Sequence, residues 1–114
     1  MRERLFVYGT LRPANRHPMG RVLAHNARRL GRGTIQGRLE RIGAYPALMN
    51  DPSGGWIEGD VFEIAGGRCI WHLLDAFEGC HDDPPAYERQ RLRVRLASRR
   101  RREWITAWCY VMKP

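Results

Sequence analysis

Phe6-Val7-Tyr8-Gly9-Thr10-Leu11-Arg12 is an apolar run that breaks at a glycine close to the N-terminus. The run reads as a first β-strand, Arg4 to Tyr8, that delivers a turn. Glycine at such a turn lets the backbone approach a ligand closely, and successive amides there form an anion-binding concavity. Alone, the segment is a plain strand-to-loop turn. Its weight comes from two later segments, Leu74-Asp75-Ala76-Phe77-Glu78-Gly79 and Tyr87-Glu88-Arg89.

Between them the chain reads as alternating elements. Pro13 and Pro18 mark a loop, and Met19, Val22 and Leu23 at helical spacing predict a short helix. Leu30 to Leu48 keeps partial alternation through four glycines, which predicts a bent or bulged strand. Asn50 to Gly55 is a turn cluster, and Trp56 to Ile64 carries apolar groups on both faces, as a central strand does. After Gly66-Gly67, the residues Ile70, Leu73, Leu74 and Phe77 form the apolar stripe of a helix that Gly79 stops. His81 to Pro85 is a loop. Tyr87–Leu96 and Trp104–Met112 alternate and are joined by Arg99-Arg100-Arg101-Arg102, a hairpin with its tip. The expected class is α+β, a small mixed and curled β-sheet, barrel-like, packed by one or two helices.

Composition narrows the function. At 114 residues, with 43% hydrophobic and 28% charged, the chain has the size and balance of one globular domain, residues 1–114. Cys69, Cys80 and Cys109 are odd in number and lack CxxC spacing, which argues against a disulfide framework and for a reducing compartment. No stretch approaches the roughly 18 apolar residues of a membrane span, and the N-terminus is no signal peptide. A cytoplasmic location without a membrane partner is expected. The net charge is +8 and every basic residue but Lys113 is an arginine, mostly scattered, a compositional habit. Only Arg99–Arg102 clusters. It reads first as a solvated hairpin tip and only secondarily as a contact for nucleic acid.

Glu78 is the candidate for chemistry. It lies just beyond the edge of the apolar stripe, next to Leu74, whereas Asp75 is expected to point away. In the last helical turn the dipole disfavours a negative charge, and partial burial does the same. Both push a carboxylate toward proton transfer near neutral pH. The four histidines show no HxH or HExxH pattern, so no metal is expected. Cys69 and Cys109 fall in patterned segments and are expected in the core. Cys80 beside His81 is a poor nucleophile–base pair, because adjacent side chains diverge.

In order and spacing these segments resemble the γ-glutamylcyclotransferase-like superfamily, its γ-glutamylaminecyclotransferase and small bacterial members above all. The resemblance is carried by Val7–Arg12, Ala44-Tyr45-Pro46-Ala47, Glu58-Gly59-Asp60-Val61-Phe62, Leu74–Glu78 and Tyr87-Glu88-Arg89. It implies a barrel-like α+β fold with a cavity between the first-strand turn and the second helix. It also implies Glu78 as general acid/base, and Tyr8, Gly9, Thr10 and Leu11 as the grip on a γ-glutamyl group. Tyr45, Pro46, Tyr87 and Tyr110 would be cavity walls, with no metal or organic cofactor. The implied reaction releases 5-oxoproline from a γ-glutamyl amine or amino acid by intramolecular aminolysis. The alternative is a non-catalytic small-molecule binder on the same fold. Both a monomer and a homodimer are compatible with the sequence.

Overall fold

The computed structural model describes residues 2–42, 45–65, 68–80, 87–97 and 102–112. Among these described residues, six strands and two α-helices follow in the order β1 (Arg2–Val7), a 3-10 turn (Pro13–Asn15), α1 (Pro18–Asn26), β2 (Arg28–Ile42), β3 (Tyr45–Met49), β4 (Gly55–Ala65), α2 (Arg68–Phe77), β5 (Tyr87–Ala97) and β6 (Arg102–Met112). The sheet order is β3-β2-β4-β1-β6-β5, and an added β2–β5 pairing closes β2, β4, β1, β6 and β5 into a barrel. The α+β, barrel-like expectation holds.

One long strand makes the closure possible. The first half of β2 pairs with β4 on one side and, through Arg32–Thr34, with β5 on the other. A register shift between Arg29 and Gly31 bends it there, which adds the twist that closing a small barrel requires. Its second half, Arg38 to Ile42, leaves the barrel and takes β3 as an antiparallel partner. The bulge expected in this stretch is therefore real, and β2 and β3 are its two products.

β1 is central, antiparallel to β4 and parallel to β6. A strand covered on both faces should be apolar without alternation, and Leu5, Phe6 and Val7 are all buried. Phe6 points into the barrel core with Ile35, Val61 and Val94. Leu5 and Val7 face a second core with Leu23, Phe62, Ile70 and Leu74, which the helices cover. The turn after Val7 thus emerges where the two cores meet.

Three expectations need correction. In α2 only Ile70 and Leu74 of the apolar stripe are buried; Leu73 and Phe77 are 52% and 38% exposed. The helix covers one side of a barrel and needs only a narrow stripe. Cys69 is exposed in the first turn of α2, not in the core, whereas Cys109 is buried. Asp75 does not point away to water: it is half-buried, accepts a hydrogen bond from the Tyr110 hydroxyl at 2.6 Å and lies 3.5 Å from Arg89. The outward arginines of β5 are engaged as well. Arg89 lies over Trp71 and Trp108, Arg91 over Trp108 and Arg93 over Trp104, at 4.5–5.0 Å from the ring centres. Gly66-Gly67, the loop 81–86 and Arg99–Arg101 of the arginine run lie outside the described residues.

Candidate active site

The helix stop positions the carboxylate. Gly79 has φ 73°, a left-handed conformation that costs a β-carbon-bearing residue about 1–2 kcal/mol. Around it, Cys80 N–H donates to Asp75 C=O and Gly79 N–H to Ala76 C=O, the paired bonds of a Schellman termination. Glu78 is therefore the residue at which α2 ends. Its amide still donates to Leu74 C=O at 2.9 Å, so the backbone beneath the side chain is fixed.

The strand end supplies the facing wall. Arg12 N–H donates to Gly9 C=O at 2.9 Å, and Asn15 Nδ2 donates to the same oxygen at 2.6 Å. Arg12 itself is anchored. Its Nε donates to Asp60 Oδ2 at 2.8 Å, while Arg29 binds Oδ1 through Nε and Nη2 at 3.0 and 2.7 Å. Burial would raise the pKa of Asp60, but its hydrogen bonds to the two guanidinium groups and their charge outweigh that and hold it below the usual carboxylate range. Two of the seemingly scattered arginines therefore fix the turn.

Together these elements enclose a cavity of about 260 Å³ lined by Phe6, Val7, Tyr8, Gly9, Thr10, Leu11, His17, Phe77, Glu78, Tyr87 and Tyr110. That size suits a small metabolite. Glu78, Tyr8, Gly9, Thr10, Leu11, Tyr87 and Tyr110 are among the residues singled out from sequence, and the fold brings them into this one pocket. Tyr45 and Pro46 open β3, and their side chains lie outside the described residues. Sequence reasoning missed Phe6, Val7, His17 and Phe77 as cavity lining. His17 has a signal, since it directly precedes a proline at a helix start, the place of an N-cap.

The electrostatics single out one group. Burial pushes Glu78 up to about 7, and its seat at the C-terminal end of α2 acts in the same sense. Burial, and second the Glu78 charge, raise Tyr87. Burial is the largest cause for Tyr8 and Tyr110 as well, so both stay phenols. Cys80 is pushed up to about 11, mainly by burial, and is no thiolate at neutral pH. Among the described residues no group of three or more His, Cys, Asp or Glu is placed to hold a metal ion.

Tyr8 has a structural duty beyond its ring. Its hydroxyl donates to Tyr110 C=O at 2.7 Å and accepts from Leu48 N–H at 3.0 Å, tying the site to β6 and β3. Tyr8→Phe strands both backbone groups and is expected to cost about 1–3 kcal/mol. Denaturant unfolding checks this: the midpoint should fall with an unchanged slope.

Comparison with known proteins bears on the family and the fold. A model of the family described as "Gamma-glutamyl cyclotransferase, AIG2-like" matches residues 5–114. The chain is similar to an AIG2-like protein from Mus musculus, with 26% identity and a TM-score of 0.76 over 97% of this chain and 77% of that one. It is also similar to YkqA from Bacillus subtilis, with 25% identity and a TM-score of 0.72 over 99% of this chain and 36% of that one. A structure described as a gamma-glutamyl cyclotransferase shares the fold, with 16% identity and a TM-score of 0.72 over 99% of this chain and 68% of that one. Among curated protein sequences none matches the chain. Among the described residues, no helix is long and apolar enough to cross a membrane.

Proposed function

The chain belongs to the gamma-glutamyl cyclotransferase, AIG2-like family, and from that premise we propose that it releases 5-oxoproline from a γ-glutamyl amine or amino acid. The observation that carries the reading is Glu78, a half-buried carboxylate raised to about 7 inside a pocket of metabolite size. A group with that pKa is present in both protonation states near neutral pH, so it can take up a proton and return it.

The substrate carries its own nucleophile. Its α-amino group attacks the γ-carbonyl carbon, a five-membered ring forms, and the amide C–N bond to the departing amine breaks. The attacking nitrogen sheds two protons on passing from ammonium to lactam N–H, and the departing nitrogen gains two on leaving as an ammonium; Glu78 accepts and delivers each in turn, so the carboxylate ends the cycle as it began. Holding the γ-glutamyl chain curled accounts for a large share of the rate, since effective molarities of about 10⁵ M or more are reached by well-oriented groups. The turn from Tyr8 to Leu11 grips the γ-glutamyl portion and places its amides toward developing negative charge. The chemistry assigns no step to a metal or an organic cofactor.

A pure binder on the same fold needs no carboxylate that changes protonation state near neutral pH, whereas the cyclisation does. Assay of 5-oxoproline release from a panel of γ-glutamyl amines and amino acids tests the reading. Release from at least one substrate is expected. No release from any of them, together with a 5-oxoproline-induced rise in melting temperature, would leave a binding protein in place of an enzyme.

A further inference from the structure

His17 sits on the same pocket wall as Glu78, and the structure fixes its chemical form. It is the N-cap of α1, and its Nδ1 accepts a hydrogen bond from Met19 N–H at 3.1 Å. An accepting Nδ1 carries no proton, so the ring is the neutral tautomer with its proton on Nε2. Pro18 at the first helical position holds the backbone there. The ring packs against Phe77 at 5.3 Å between centres, and Phe77 precedes Glu78 in the chain. The two ring nitrogens diverge, so with Nδ1 turned to the first turn of α1, Nε2–H is directed away from the helix. His17 is half-buried and lines the cavity, and among the described residues no acceptor is recorded for its Nε2–H, which leaves that donor to water or to a ligand group that takes the place of water.

Its place relative to the reaction follows from the cyclotransferase reading, on which this inference rests. On that reading the γ-glutamyl portion lies against the turn from Tyr8 to Leu11, which leaves the His17 and Phe77 side of the pocket to the departing amine. Phe77, 38% exposed, belongs to the outer part of that wall, and His17 stands beside it. We propose that His17 is a specificity-determining residue whose Nε2–H binds a carboxylate or carbonyl oxygen on the departing amine, with Phe77 packing against its apolar part. Substrates whose departing half is an amino acid or an amino-acid amide are then preferred over those that release a plain alkylamine. A site built around a donor discriminates against ligands that lack the acceptor, because binding them leaves the donor unpaired.

Binding and turnover separate this inference from the reading beneath it. Calorimetry on folded Glu78→Gln protein compares γ-glutamyl-alanine with γ-glutamyl-ethylamide, which differ by the carboxylate. The alanine compound should bind about tenfold tighter, the usual effect of a hydrogen bond to a charged group. Adding His17→Ser, which retains a helix-capping oxygen but removes Nε2–H, should erase that preference by weakening the alanine compound alone. A preference that survives His17→Ser overturns the inference, and so does an equal loss for both ligands, the mark of a structural role. His17→Asn, a second capping variant, repeats the comparison if the serine protein does not fold. 5-Oxoproline release by the wild type is read separately. Its absence alongside His17-dependent binding would overturn the cyclotransferase reading and leave the His17 contact standing.

Discussion

Glu78→Gln lowers 5-oxoproline release by at least about 10³-fold and, at pH 8, makes the protein more stable. The loss follows from the proposed role, since a positioned acid–base group contributes roughly 10²–10⁴-fold and this one serves both proton transfers. The gain follows from the same burial. Glu78 is raised from 4.5 to about 7 in the folded state, so between those values the folded protein holds a proton that the unfolded chain has released. Stability therefore falls as pH rises through that window. Below 4.5 the penalty is absent, and above about 7 it is complete, at roughly 3 kcal/mol. Glutamine has no charge to bury. Melting curves of the two proteins should coincide near pH 4 and separate progressively up to pH 8, with the variant higher by several degrees. An inactive variant that is less stable than wild type at every pH would instead indicate a damaged fold.

The second large effect is on the barrel. A β-carbon at Gly59 would lie 2.3 Å from the Val7 carbonyl oxygen and 2.6 Å from Phe6 Cζ. The first is backbone of the neighbouring central strand and cannot step aside, and the second is a ring held in the barrel core. Gly59→Ala is expected to destabilise by about 3 kcal/mol or more, through overpacking against atoms that cannot relax. Because Val7 leads directly into Tyr8 and Gly9, the same change displaces the turn that lines the pocket. Gly55 supplies the matched control. It lies on the same strand, yet a β-carbon there meets nothing within 4 Å, so Gly55→Ala should stay within about 0.5 kcal/mol of wild type. Chemical denaturation of both variants decides the point. Equal midpoints would show that β1 and β4 are less closely apposed than described.

Much of this was legible in the sequence, for identifiable physical reasons. β1 reads as a strand because Leu5, Phe6 and Val7 are apolar without interruption, the mark of a strand covered on both faces. β5 reads as a strand because arginine alternates with residues that include Val94 and Leu96, both buried. Gly79 marks the end of α2 because few other residues accept its backbone angle. Periodicity could not reveal how wide a face α2 buries; that depends on the curvature of the surface beneath it, and Leu73 and Phe77 were misplaced for that reason. Nor does it reveal partners distant in sequence. Asp60 with Arg12 and Arg29, and Asp75 with Tyr110 and Arg89, are pairings made by topology. His17 escaped notice because a histidine N-cap is an uncommon choice, and its relation to Glu78 exists only once α1 and α2 pack side by side.

The central claim is that one buried carboxylate carries the proton through the cyclisation. The pH dependence of kcat/KM for 5-oxoproline release tests it most directly. The account predicts a rate that falls as the pH is lowered through about 7, the value to which burial moves Glu78, and residual release by Glu78→Gln, at least about 10³-fold lower, that shows no such fall. A rate that stays level down to the ordinary carboxylate range near about 4.3, or a folded Glu78→Gln protein that turns over within about tenfold of wild type, would contradict it.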